Sequence, residues 1–165
     1  MNDMNAMRRR EKEITDRTEI DNVIHGCQVL HLAFALDNVP YIVPLSFGYD
    51  GRCLYFHCSK TGRKMDCLAA NPSVCFQMER DVRIIAHPAS ACRWTFAFES
   101  IIGYGIAAEI AEADEKASAL NRVIEHYGGP QQTFNDQALA SVQVWRITIT
   151  SLTGKRSRPA IAESE

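Results

Sequence analysis

The chain has 165 residues, 46% of them hydrophobic, with six cysteines and a formal net charge of −2. That length and apolar content suit one domain with its own core, and the near-neutral charge argues against nucleic acid as a main partner. No apolar run is long enough to span a bilayer, and no hydrophobic segment follows the basic residues of MNDMNAMRRREKE, so the expectation is a cytoplasmic protein with neither secretory signal nor membrane anchor.

Residues 1–13 read as a polar arm. Asp16 and Glu19 have the spacing of a capping box for a short helix through Ile20, Val23 and Ile24, ending near Gly26. Gln28 to Leu36 is a strand, and Asp37-Asn38 turns it into a second one. There Tyr41, Val43, Leu45, Phe47 and Tyr49 alternate with smaller residues, the period of a half-buried strand. Pro40 and Pro44 share one face and cannot donate to a ladder, which places this strand at an edge and leaves backbone groups open to a ligand. Asp50-Gly51 predicts a type I′ hairpin turn into Leu54-Tyr55-Phe56-His57. Ser59 or Thr61 then caps a helix that stops at Asn71-Pro72.

Val74, Phe76 and Met78 begin a strand that runs toward Ile85, followed by a loop over 86–91. Trp94, Phe96, Phe98, Ser100 and Ile102 keep a period of two over a long strand, in which Gly103 and Gly105 signal a bulge or bend. Asp114 to Tyr127 is a helix with Leu120, Val123, Ile124 and Tyr127 on one face, stopped by Gly128-Gly129-Pro130. A polar loop with a helical turn near Asn135-Asp136 leads to a last strand, Val142 to Leu152. Six strands with interspersed helices predict a small antiparallel barrel, mainly β with flanking helices, in one domain over 14–155 with a polar tail over 156–165. A sandwich is disfavoured by the intervening helices. A doubly wound sheet is disfavoured by the hairpin at Asp50-Gly51 and by the lack of a glycine-rich nucleotide loop.

The chemistry concentrates between Pro40 and Pro72. Lys60, Arg63 and Lys64 open a helix whose dipole already disfavours cations, unless an anion joins them. Free backbone N–H groups, a hydroxyl and an arginine fork together make a phosphate cradle, and a solvated basic turn is the other reading of the same residues. The cysteines form no C-x-x-C pair and no histidines cluster at ligand spacing, so neither a metal site nor a disulfide framework is expected. Cys58, just before the cationic turn, is either a reactive thiol or a core-facing strand residue.

The run MRRREKEI, YIVPLSFGYDG, LYFHCSKTGRKMDCL, NPSVCF and W-T-x-x-F-x-S-I-I-G-Y-G resembles the pyridoxamine 5′-phosphate oxidase-related superfamily, and within it the nitroimidazole-resistance (Nim) type flavoproteins. The similarity runs in order from Met7 to Lys155. It implies a six-stranded antiparallel split β-barrel, a homodimer with flavin mononucleotide (FMN) at the subunit interface. By the same resemblance Val43, Pro44, Leu45, Ser46 and Phe47 lie along the flavin ring, and Phe56, His57, Ser59 and Lys60 border the ring and ribityl chain. Arg63 and Lys64 hold the phosphate. Glu99, Ser100 and Ile101 reach the flavin across the dimer, and Trp145 and Lys155 are further candidates. Phe56 and Leu45 as plain core, Trp145 as a barrel plug and His57 as a hydrogen-bonded strand residue are the competing structural readings.

The chain also departs from its relatives. It ends in TGKRSRP where true pyridoxamine phosphate oxidases carry R-L-x-P, so oxidation of vitamin B6 itself is not expected. Arg63 stands where some Nim-type relatives have histidine. The function implied is an oxidoreductase passing electrons from a reduced nicotinamide to a small oxidised or nitroaromatic acceptor. The alternatives are a flavin-binding module without turnover and a haem-handling barrel using His57, His87 or His126. No catalytic residue is singled out.

Overall fold

The first helix starts where the sequence puts its cap. In the computed structural model, which describes residues 7–158, Asp16 accepts a hydrogen bond from the Glu19 N–H at 2.9 Å, after a two-residue strand β1 (Glu13–Ile14). Helix α1 (Arg17–Gly26) then turns Ile20, Val23 and Ile24 inward and seals one side of the core. Strands β2 (Leu30–Leu36) and β3 (Val39–Leu45) form a hairpin whose two turn residues, Asp37 and Asn38, both have positive φ (50° and 61°), the requirement of a type I′ turn. The chain continues through β4 (Gly48–Tyr49), β5 (Cys53–Cys58), α2 (Arg63–Ala70), β6 (Ser73–Ile85) and β7 (Thr95–Ile110). Helices α3 (Ala113–His126) and α4 (Asp136–Ser141) precede the last strand, β8 (Gln143–Ser157).

All strand pairs are antiparallel, in the order β3-β2-β6-β7-β8-β5-β4, with β1 added to β8. This is the split-barrel architecture, with eight strands rather than six. One extra strand is β1. The other arises because residues 41–49 are not one strand. The run pairs with β2 as far as Leu45, breaks at Ser46-Phe47, and re-forms as β4 against β5 at the opposite end of the sheet. Local alternation is the same on both sides of the break, so periodicity alone could not reveal the change of partner. The two prolines do mark an edge, since β3 ends the sheet.

The turn after β4 also differs from the expected type. Asp50 N–H bonds to Cys53 O at 3.3 Å, so the two connecting residues are Gly51 and Arg52, and Gly51 alone has positive φ (90°). Asp50 works from the flank, its Oδ1 accepting from the N–H groups of Arg52 and Cys53.

The core is lined by Phe47, Phe56, Phe76, Leu30, Leu32, Leu54, Met78, Ile101 and Ile147, with Val23 and Ile24 of α1 above them. Along β7 the inward positions are the small or odd-numbered ones, Ala97, Glu99, Ile101, Gly103, Gly105 and Ala107, and the larger Phe96, Ile102, Tyr104 and Ile106 face out. The glycines are needed because neighbours fill their space. A Cβ on Gly103 would sit 2.6 Å from Phe76 Cε2, and one on Gly105 would sit 2.5 Å from Ile147 Cγ2. The expected bulge is present as a register shift between Tyr104 and Gly105 against β8.

The termini are tied to the barrel further than the domain limits of 14 and 155 suggest. Glu13 pairs with Lys155, Lys12 Nζ donates to Ser157 Oγ at 3.0 Å, and β8 continues to Ser157. The rest of the arm (1–6) and of the tail (159–165) lies outside the described residues. Among the described residues, no helix is long and apolar enough to cross a membrane.

Candidate functional site

Helix α2 is capped by neither Ser59 nor Thr61. Its N-cap is Gly62 at φ 116°, a conformation that side chains rarely adopt, and Ser59 Oγ instead accepts from the Thr61 N–H at 3.5 Å. The first N–H bonded within the helix is that of Met65, to Gly62 O at 2.8 Å, so the amides of Arg63 and Lys64 stand before the ladder begins. The side chains of these two residues rest on aromatic rings. The Arg63 guanidinium carbon lies 4.7 Å from the centre of the Tyr41 ring, and Lys64 Nζ lies 5.7 Å from that of Phe56.

Each ring is backed by a second one. Tyr41 stacks on Phe34 at 5.9 Å, and Phe56 lies parallel to Trp145 at 6.5 Å. Among the described residues no carboxylate pairs with Lys60, Arg63 or Lys64. The result is an exposed shelf bearing three cations without carboxylate partners at the positive end of a helix dipole. That arrangement is unfavourable alone and is relieved by an anion.

Beside the shelf, on β8, are two buried polar atoms without a partner among the described residues, Trp145 Nε1 and Gln143 Oε1. Trp145 lies opposite Phe56 in the ladder and Gln143 lies opposite Cys58. An unsatisfied buried donor or acceptor costs about 1–3 kcal/mol, and the described residues supply a partner to neither group. The residues therefore fit a ligand that has an anionic end, an aromatic body and polar edges, which is the make-up of a flavin nucleotide.

The other residues implicated by resemblance separate into distinct environments. Val43 and Leu45 point inward, half-buried against the core, and Phe47 is fully buried, whereas Pro44 and Ser46 are exposed. Pro44 lies in one cross-strand row with His31, Gln77, Ile102 and Thr153 on the outer face. His57 and Ser59 are exposed. Ser100 and Lys155 face each other across β7 and β8, with Lys155 Nζ 5.5 Å from the Phe98 ring centre. Ile101 is core. Lys155 is ten residues along β8 from Trp145 (155 − 145), about 30 Å of strand. One subunit thus does not bring the Arg63 shelf and the Ser100–Lys155 pair to the same place.

Glu99 is committed elsewhere. It is 2% exposed, with Oε2 accepting from Arg80 Nε and Nη2 (2.9 and 2.7 Å) and Oε1 accepting from Arg156 Nε and Arg158 Nη2 (2.5 and 2.9 Å). Burial pushes its carboxyl up, and the hydrogen bonds from Arg80 and Arg156 outweigh that, so its pKa ends below the ordinary 4.5. Arg80 Nη1 also donates to Asn22 O at 2.7 Å, which ties the network to α1. A cavity of about 560 Å³ adjoins this network, lined by Val82, Arg83, Phe98 and Arg158 among others. It is separate from the α2 shelf.

Cys58 takes its structural reading. It is buried, with Sγ 3.6 Å from Met65 Sδ, and burial pushes its thiol up against the pull of the Lys64 charge. The histidines that a haem reading needs are placed as follows. His57 is exposed, His87 Nδ1 accepts from the Ala89 N–H at 3.3 Å, and His126 Nε2 is 2.8 Å from Cys27 O with its ring 4.1 Å from that of Phe47. Two supports were not foreseen. The Tyr127 hydroxyl accepts from the Phe47 N–H at 3.2 Å and donates to Gln28 O at 2.8 Å, so the end of α3 holds the β3–β4 break. Gln143 was missed because nothing local to β8 distinguishes it. Tyr41 heads the alternating run, and only the fold places Arg63 over it.

The fold defines a class, the split-barrel proteins. The family follows from comparison. The model of the pyridoxamine 5′-phosphate oxidase family matches residues 16–156, and the chain belongs to that family. Among solved structures it is similar to a candidate 5-nitroimidazole antibiotic resistance protein from Bacteroides thetaiotaomicron, with 28% identity, 87% of this chain and 85% of that chain covered, and a TM-score of 0.77. A flavocytochrome from Azotobacter vinelandii shares the fold at 19% identity, covering 99% of this chain and 78% of that one, with a TM-score of 0.80. An uncharacterized protein of Rhizobium meliloti (strain 1021) is 34% identical over 65 residues, and the match spans 39% of this chain and 42% of that protein.

Proposed function

We propose that the protein is an FMN-binding oxidoreductase that takes electrons from a reduced nicotinamide and passes them to a small oxidised or nitroaromatic acceptor. The observation that carries this reading is the pair of α2 cations, Arg63 and Lys64, which have no carboxylate partner among the described residues and sit on aromatic rings beside Trp145 Nε1, likewise without a partner among them. Family membership and the likeness to a candidate nitroimidazole-resistance protein support it. Bound flavin would supply the two-electron chemistry, and the chain's residues would bind and orient it.

Arg63 and Lys64, with the free amides at the start of α2, hold the phosphate. Tyr41, Val43 and Leu45 would wall the site, with Phe56 behind them as core, while Trp145 and Gln143 would offer one donor and one acceptor to a polar edge. A homodimer accounts for the division of the site. The outer face of the sheet exposes Ile42 (60%), Phe96 (51%), Ile84, Ile102, Tyr104 and Ile106, and His31 Nδ1 in the same face is unpartnered. A second copy laid on that face covers these side chains and brings a Ser100–Lys155 pair toward the other subunit's shelf.

The test is anaerobic reduction of FMN-loaded protein by reduced nicotinamide, followed by reoxidation by a nitroaromatic or by dioxygen. Reoxidation faster with the nitroaromatic supports an oxidoreductase. Reduction that fails, or dioxygen that is always faster, leaves a flavin-binding module. Sedimentation of the same sample measures the dimer.

A further inference from the structure

Arginine on an exposed helix end ordinarily spreads over many rotamers, and in the absence of a carboxylate nothing fixes where its fork points. Here the guanidinium lies over Tyr41, and Tyr41 is itself held by stacking on Phe34. A stacked guanidinium gives its flat face to the ring and keeps its in-plane N–H donors free, which are the donors that bind phosphate oxygens in pairs. The ring and an anion therefore do not compete for the same part of Arg63.

Tyr41 makes this contact from the edge strand β3, across from the first turn of α2, so the seat joins two elements that are far apart in sequence. The unpartnered Trp145 Nε1, in a residue 7% exposed and parallel to the ring beneath Lys64, independently marks the same neighbourhood as a place for a ligand.

We infer that Tyr41 is a positioning residue, whose ring orients the Arg63 fork and so sets the preference for flavin carrying a phosphate over flavin without one. This rests on the flavin-binding reading above. The hydroxyl of Tyr41 has no part in it, and only the ring face matters. An exposed cation–π contact corresponds to about a two- to five-fold change in affinity.

The experiment titrates FMN and riboflavin by flavin fluorescence into full-length protein carrying Tyr41→Leu, Tyr41→Phe, Arg63→Ala, and Tyr41→Leu with Arg63→Ala. Tyr41→Leu should weaken FMN about two- to five-fold and leave riboflavin unchanged, Tyr41→Phe should behave as the native chain, and the Tyr41→Leu effect should vanish once Arg63 is alanine. Equal losses for both flavins, no loss at all, a phenylalanine variant as weak as leucine, or a loss that persists without Arg63 would each overturn the assignment. If Arg63→Ala weakens FMN while Tyr41→Leu does not, only the role of Tyr41 falls. If the native chain binds neither flavin, that role falls together with the proposed function.

Discussion

Replacing Glu99 with glutamine isolates the main buried charge of the barrel. Its carboxylate receives four hydrogen bonds from three arginines, whose side chains are 27% (Arg80), 29% (Arg156) and 69% (Arg158) exposed. Arg158 is largely in solvent, where an ion pair is worth little. The loss therefore falls on Arg80 and Arg156, each with a charge-assisted bond of about 1.5–3 kcal/mol, partly recovered because Arg156 keeps Glu19 and Arg80 keeps Asp81. A net destabilisation of about 2–4 kcal/mol at pH 7 follows. With a urea slope of about 2 kcal/mol/M the midpoint drops by about 1–2 M. The sign with pH is fixed by the lowered carboxyl pKa. The contribution is fully present above the ordinary value of 4.5 and is lost as pH falls below it toward the folded value. Native and Glu99→Gln midpoints, measured at one protein concentration, should therefore differ widely at pH 7 and converge below pH 4.5. Equal midpoints at pH 7, or a gap that stays constant on acidification, would refute the reasoning.

Gly103→Ala forces a methyl against Phe76 and Leu152 and should cost about 1–3 kcal/mol, read as a melting temperature about 2–4 °C lower per kcal/mol. Asp16→Ala removes the α1 cap and should cost about 1 kcal/mol by urea unfolding, with flavin affinity unchanged. Alkylation at pH 8 should modify the exposed Cys92 first. Cys58, and Cys27 whose thiol burial pushes up to about 12, should react only in denaturant, and Cys58 labelling as fast as Cys92 would contradict its core placement.

Much of the fold was legible locally, because caps and edges are local physics. Asp16 caps α1 as its spacing with Glu19 indicates, Pro40 and Pro44 mark an edge, and the bulge sits beside Gly105. What was not legible depends on partners distant in sequence. The period of two along β7 does not say which face is inner; the glycine face is, because Phe76 and Ile147 fill the space beside Gly103 and Gly105, and the even-numbered apolar residues are left exposed. Glu99 fits a family motif, but its three arginines come from positions 80, 156 and 158. The cationic cluster at Arg63 and Lys64 was visible as a motif. That the two cations rest on Tyr41 and Phe56 rather than on carboxylates emerges only once β3, β5 and α2 are assembled.

The central claim is that the α2 shelf holds FMN, and the visible absorption spectrum of freshly purified protein tests it most directly, with mass identification of whatever denaturation releases. The account predicts two flavin bands, released FMN, and loss of both on replacing Arg63 and Lys64 together with alanine. A colourless protein that also fails to take up added FMN would contradict it.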